Sequence, residues 1–429
     1  MSAESSVLRN QRETARRAIS STAESPVLAA PFALALDSKS AARIRSGMLA
    51  LALYSLAHFF IDMYSSAVGA FQPLLVERLH FSLTQAGLLG AVMMFSGSFV
   101  QPAYGYLSDR FHSRMFSALA PAIAGIFIAS IGLAWNFWTA AALIFLGGVG
   151  IASFHPQASA RATLGMDSNR GRWMAVFISA GSLGLAVGPL YFTSIIQWAG
   201  FHRSYVGAIP GVIVTIFLLI FMRGPVRADH AQHSKFDLGA LRGVRKPLMI
   251  LCALVVLRSA VQMVFGQFLP LYLHRERGFT LAQAAGALSM FQLAGALGGF
   301  LGGHCSDRFG GRAVIRWSML GSAPFLALFF FGHGIASMAG LVLGGLILLF
   351  TIPVNVHMAQ ELAPTQAGTV SALMMGFAWG LSGLIFVPAI GFVSDRLTMQ
   401  TTMSALIVLP LIGFFLTFKL PRHSTQHAL

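Results

Sequence analysis

The sequence predicts an all-α integral membrane protein, with twelve transmembrane helices arranged as two pseudo-symmetric six-helix bundles. Three observations predict it. Hydrophobic residues make up 56% of the 429 and charged residues only 10%, against about 25% charged in a soluble globular chain. Twelve segments reach the roughly 20 apolar residues that a membrane span requires. A short polar sequence also occurs twice, as Gly105-Tyr106-Leu107-Ser108-Asp109-Arg110-Phe111 and Gly303-His304-Cys305-Ser306-Asp307-Arg308-Phe309, 198 residues apart. The offset holds upstream, where Phe81-Ser82-Leu83-Thr84-Gln85-Ala86 matches Phe279-Thr280-Leu281-Ala282-Gln283-Ala284, and Pro73 and Pro270 are 197 apart. A duplication on this scale in a membrane chain marks a transporter built from two halves.

The elements follow in order. Residues 1–46 read as a polar, Arg- and Ser-containing cytoplasmic tail, expected to be disordered. Its apolar run Ala29–Leu36 is too short to span and lacks the layout of a secretory signal. Spans 1 to 6 are expected near 48–73, 84–107, 115–134, 137–160, 173–198 and 204–222, forming an N-terminal bundle over 47–222. A cytoplasmic central loop over 223–246 carries six Arg and Lys and divides the spans six and six. Spans 7 to 12 are expected near 247–272, 281–304, 313–332, 335–358, 368–393 and 401–419, forming a C-terminal bundle over 247–420, with a cytoplasmic C-terminal tail over 421–429.

Orientation follows from the basic residues. With both termini cytoplasmic, 23 of the 29 Arg and Lys fall on the cytoplasmic side and five on the other, while Arg258 lies inside a span. A multi-pass protein of the plasma (inner) membrane is expected. The net charge of +15 reads as this topogenic bias and not as nucleic-acid binding; contact of the basic segments with anionic lipid is a side effect. Cys252 and Cys305 make no disulfide framework, and there is no CxxC or zinc spacing. His230 and His233 are too few for a metal site. GxxxxGK[ST], HExxH and GxSxG are all absent, so no enzyme, cofactor or metal centre is expected. Uphill movement would draw on an ion gradient or a partner.

The candidate residues are the polar ones within this apolar frame. Asp62 is the only acidic side chain deep within a span, where a charge costs at least about 2.5–3.5 kcal/mol. His58 lies one turn earlier on the same face. Together they read either as a proton-coupling pair or as a structural pair that ties spans together. Arg258 is the only cation within a span, and the repeat offset sets it at the depth of Asp62 in the matching helix of the other half. It could pair with Asp62 in one state, grip an anionic substrate, or sit in a static pair. His155 and Gln157 flank Pro156 in span 4; Gln101 in span 2 and Asn355 in span 10 have similar character. These read as candidates for the substrate route or, equally, as satisfied structural groups.

The repeated GxxxDR supplies a second class of candidates: Gly105, Asp109, Arg110 and Arg114 in one half, Gly303, Asp307, Arg308 and Arg312 in the other. A carboxylate at a helix junction can face the positive N-terminus of a neighbouring helix, and Arg can bridge carboxylates and phosphates with its fork. The pattern reads as a conformational latch, against plain loop charges that flank spans. A third copy, Gly391 through Asp395-Arg396, follows span 11 on the outer side and is either a further latch or a helix stop. In span 5, Gly181, Gly184, Gly188 and Pro189 put small residues on one face, where helices pack closely.

Six plus six spans with GxxxDR after spans 2 and 8 resemble the major facilitator superfamily, over about residues 47–420. Its fosmidomycin-resistance family is resembled more narrowly, by His58–Met63, by Ser153–Ser159 with its Phe-His-Pro, by Gly181–Leu190, and by Met358–Leu362 with Gly376–Gly380. The chain departs from that family at Gln157, where Glu is usual, and at Ser179 and Ser182, where amides are usual. The resemblance implies a cytoplasmic latch at GxxxDR that closes in the outward-open state. It also implies that spans 1 and 7 line a central cavity. The span 5 glycines are similar to the antiporter motif of drug-efflux members and lean the reading toward export. The expectation is a secondary active transporter that works by alternating access, exporting a small organic compound, anionic or drug-like, with protons as the coupling ion. The alternatives are an importer, symporter or facilitator for a small metabolite, and a non-transporting membrane sensor.

Overall fold

The computed structural model describes residues 38–111, 113–163, 170–222 and 241–421. The rest of the two expected tails and most of the central loop, with His230 and His233, lie outside the described residues, as does the side chain of Asp109. Among the described residues, twelve helices are long and apolar enough to cross a membrane. Spans 1 to 6 are Ser46–Leu79, Leu83–Ser108, Met115–Leu133, Phe137–Arg161, Arg172–Ala199 and Phe201–Phe221. Spans 7 to 12 are Arg242–Arg277, Leu281–Phe309, Gly311–Phe331, Gly334–Leu362, Pro364–Ser394 and Met399–Lys419. Spans 1 and 7 outrun the apolar segments that announce them. The helix continues through polar residues such as Glu77, Glu276 and Arg277 until a left-handed residue stops it, His80 after span 1 and Gly278 after span 7.

Two hydrophobic cores organise these helices. One is drawn from the first six spans, with Tyr64, Phe71, Phe154 and Phe192 fully buried. The other is drawn almost entirely from the last six, around Phe265, Phe268, Phe291, Phe329 and Phe330, with Leu83 and Ala86 of span 2 joining it. Each bundle thus has its own interior, and the repeat seen in the sequence is a repeat of packing. The starts of spans 2 and 8 explain the upstream part of that repeat. Ser82 and Thr280 each accept a hydrogen bond from the backbone N–H of a Gln three residues on, Gln85 or Gln283. The side-chain oxygen of that Gln in turn accepts from the backbone N–H of Ser82 or Thr280, so the duplicated sequence is a duplicated capping box. The GxxxDR glycines repeat as well: Gly105 lies against Pro156 of span 4, and Gly303 against Pro353 of span 10.

The two bundles meet on the face opposite the basic loops. Span 1 touches span 7 at Gly69 and Gly266, span 2 touches span 11 at Gly87 and Val387, and Leu190 of span 5 reaches Gly286 of span 8. All of these sites lie in the halves of their helices remote from the basic loops. The contact between spans 2 and 11 ends near mid-depth, where each helix has one π-helical turn, Phe95–Phe99 and Leu373–Ala378. Phe99 and Phe377 meet there with ring centroids 6.5 Å apart. Single π-helical turns of this kind inside α-helices occur frequently at functional sites.

Candidate functional site

Three polar side chains meet inside the N-terminal bundle. His58 and Asp62 stand one turn apart on span 1, and span 4 brings His155 against them. His58 Nε2 lies 3.3 Å from Asp62 Oδ2, and His155 Nε2 lies 3.2 Å from Asp62 Oδ1. The opposite ring nitrogens are both held by backbone carbonyls: His58 Nδ1 by Phe177 of span 5 at 2.8 Å, and His155 Nδ1 by Ile151 at 2.9 Å. The His58 ring stacks on Phe177 with centroids 4.3 Å apart and meets His155 edge-on at 5.3 Å. Gly181 lets span 5 approach, since a Cβ there would stand 2.5 Å from both Asp62 Oδ2 and His58 Nε2.

This arrangement constrains the protons. A carbonyl oxygen only accepts, so each Nδ1 must carry the hydrogen. A neutral imidazole then turns the lone pair of Nε2 toward the carboxylate, and that contact is repulsive. It becomes attractive only with a proton between Nε2 and the oxygen, carried by the ring as imidazolium or by the acid. The cluster is therefore built to hold up to two protons beyond neutral rings and a carboxylate. Its three ligand atoms lie within 4.8 Å of one another, a spacing that would also admit a small cation, but shared protons account for the same contacts.

The other candidate residues lie elsewhere. Arg258 is 4% exposed and donates to Gln262 Oε1 at 2.6 Å on its own helix. Its Nε has no partner, and among the described residues it makes no ion pair with Asp62. Asn355 is fully buried with both side-chain polar atoms unpartnered. Gln101 donates to Gly97 O, one turn back in span 2. Gln157 does not join the His–Asp cluster. It donates to Ser108 Oγ at 2.7 Å and Ser113 O at 2.9 Å and accepts from the backbone N and hydroxyl of Ser117. That set ties span 4 to the junction of spans 2 and 3 and uses the whole amide. Gly184 and Gly188 lie against span 1 at Phe59 and Met63. Pro189 lies inside the same helix.

A sequence profile of the Major Facilitator Superfamily matches residues 54–387. The chain belongs to the major facilitator superfamily. It is 29% identical over 381 residues to an uncharacterised transporter of the same superfamily, YfnC of Bacillus subtilis, covering 86% of this chain and 92% of that one. It is 26% identical over 398 residues to the fosmidomycin resistance protein of Escherichia coli, covering 90% and 96%. In fold it is similar to a bacterial homologue of the human lysosomal transporter Spinster in an inward-facing, unoccupied conformation. The TM-score is 0.76 at 15% identity, covering 87% of this chain and 96% of that one.

In this major facilitator chain Arg110, Arg114 and Arg308 of the two GxxxDR copies make contacts within their own half among the described residues. Arg114 donates to the carbonyl of Met222 at the end of span 6. Arg312 donates to Thr417 and Phe418 at the end of span 12. Both arginines satisfy C-terminal carbonyls within their own half. Arg110 contacts Tyr106, Arg308 lies over the ring of Phe309, and Asp307 is exposed. The third copy, a further latch or a helix stop on the sequence alone, reaches across to the other bundle. Asp395 Oδ1 accepts from Leu83 N at 2.7 Å, and Oδ2 accepts from Thr84 N at 2.8 Å and from the Thr84 hydroxyl. Phe177 was also not singled out in the sequence; its only signal is its place one turn before Gly181.

Proposed function

We propose that this major facilitator works by alternating access and exports a small organic anion in exchange for protons, with Asp62, His58 and His155 as the proton-carrying group. The observation that carries the reading is the pair of Nε2–carboxylate contacts, each attractive only while a proton lies in it. Loading and unloading these sites changes the attraction between span 1 and span 4, so proton occupancy can bias the conformational equilibrium. Arg258 supports an anionic substrate. A buried cation with an unpartnered Nε and no ion pair among the described residues is costly until an anion reaches it. The protein acts in a lipid bilayer; the charge bias of its loops supports a plasma (inner) membrane with both termini cytoplasmic.

The test is pH change inside proteoliposomes carrying a trapped pH dye, challenged with small organic anions including phosphonates, with Asp62→Asn alongside. Substrate-driven proton movement that vanishes in Asp62→Asn supports the reading. Proton movement in the same direction as substrate makes the protein a symporter. Substrate flux without proton movement, equal in both proteins, removes Asp62 from the coupling.

A further inference from the structure

We infer that the third GxxxDR copy is a latch between the two bundles, in which Asp395 holds the face opposite the basic loops shut by capping the N-terminus of span 2. The inference goes beyond the proton-coupled reading and does not depend on the substrate.

Span 2 begins with four amides to satisfy before the helix supplies its own partners, and that of Ser82 goes to Gln85 Oε1 at 2.9 Å. The N–H of Gln85 goes to the Ser82 hydroxyl at 3.1 Å, within the capping box. Those of Leu83 and Thr84 go to the two oxygens of Asp395, 312 and 311 residues away in the other bundle. The turn is thus completed by a residue that must leave when the bundles part on this face. The Thr84 hydroxyl adds a third bond to the same carboxylate. Span 8 begins with the matching sequence but has Ala282 where span 2 has Thr84, so the extra donor occurs only in the half that Asp395 caps.

The motif spacing explains how Asp395 reaches its target. Gly391, one turn before it, lies directly on span 2, where a Cβ would stand 2.2 Å from Leu83 O. Only glycine allows that approach, and four residues later the carboxylate arrives at the helix end. The polarity also suits, because a negative group is stabilised at a helix N-terminus. A second contact crosses between the bundles on this face, His274 Nε2 to Glu77 Oε1 at 3.0 Å. Glu276 shows the same chemistry within one bundle, accepting from Met399 N and Gln400 N at the start of span 12, both at 2.7 Å. Asp307 of the second copy, on the basic face, makes no such contact among the described residues.

The experiment measures the opening of this face by pulsed electron spin resonance. Spin labels go on Trp135→Cys and Ile335→Cys, which are 75% and 89% exposed and sit beyond the distal ends of spans 3 and 9. The background carries Cys252→Ala and Cys305→Ala. The capped state gives a short inter-label distance. In Asp395→Ala the ratio of long-distance to short-distance population rises about fivefold, the effect expected for losing a helix cap. Thr84→Val, which removes the hydroxyl donor and keeps both amides, gives a smaller rise in the same direction. An unchanged distance distribution in both variants overturns the inference. Should Asp395→Ala fail to fold, Thr84→Cys with Asp395→Cys is joined by a short cleavable thiol cross-linker. Flux that stops on joining and returns on cleavage supports the latch, and undiminished flux in fully joined protein overturns it.

Discussion

His155 of span 4 and Asp62 of span 1, 93 residues apart in sequence, meet at 3.2 Å between Nε2 and Oδ1. The contact closes a polar cluster whose other outlets are already occupied, since both Nδ1 atoms bond to carbonyls. On the proposed reading, proton exchange is thereby confined to the two Nε2–carboxylate contacts. The same closure makes the cluster a mechanical element. It joins span 1 to span 4 directly and to span 5 through Phe177, so a change of protonation is felt by three helices at once.

Replacing either histidine separates proton handling from shape. Gln at 155 or 58 can still donate a hydrogen bond to Asp62 but cannot carry a proton at Nε2. Proton-driven flux is expected to fall at least about tenfold in each variant, equivalent to roughly 1.4 kcal/mol of lost coupling, while substrate exchange without a pH gradient persists. Side-by-side measurement of gradient-driven uptake and substrate counterflow checks this. Equal losses in the two assays would mean a structural role only.

Gly181 tests the packing beneath the cluster. Its added Cβ would meet a carboxylate oxygen and an imidazole nitrogen at 2.5 Å, far inside van der Waals contact, so Gly181→Ala must displace Asp62 or span 5. An overpacking cost of about 1–3 kcal/mol is expected, seen as a lower melting temperature in detergent together with loss of coupled flux. Gly181→Ala with unchanged melting and coupling would show that span 5 stands off from span 1.

Much of this was legible in the sequence, for physical reasons. Twelve spans follow from apolar length alone, because lipid forces every backbone polar group into a helix. The His58–Asp62 pair follows from helical spacing. The partner from span 4 did not, because no periodicity tells which of several polar residues near Pro156 turns inward; His155 does, and Gln157 points to the junction of spans 2 and 3. The depth match of Arg258 to Asp62 was readable from the repeat, but depth does not fix the direction of a side chain, and Arg258 is bonded to Gln262. Gly391 through Asp395 was visible as a motif. Its partner was hidden, because which helix end lies opposite is a property of how the bundles meet.

Gln157 gives a clean contrast between a binding and a bracing residue. Its amide bonds to three serines of the span 2–3 junction, and the residue is 4% exposed. Gln157→Ala leaves buried partners unsatisfied, at about 1–3 kcal/mol. The expected outcome is a destabilised protein whose substrate KM is unchanged at temperatures where it remains folded. A raised KM with normal melting would instead place Gln157 on the substrate route.

The latch contact carries its own pH signature. Burial of Asp395 works to raise its pKa, but the bonds from the Thr84 hydroxyl, the Thr84 and Leu83 amides and the Ser82 hydroxyl outweigh it and hold the carboxyl below the ordinary carboxylate range. A group with a depressed pKa in the closed state contributes stability that is present above its ordinary value and lost as pH falls through the depressed one. The Asp395 contribution to the closed face should therefore stay constant through the neutral range and be lost only under strongly acidic conditions. The inter-label distance followed across pH checks this, and Asp395→Asn should remove the acid transition. The neighbouring His274–Glu77 pair is partly exposed, and such pairs are worth about 0–1 kcal/mol. Glu77→Gln should accordingly open the face less than Asp395→Ala does. Were Glu77→Gln the stronger of the two, the ion pair between spans 1 and 7, and not the cap on span 2, would hold the bundles together.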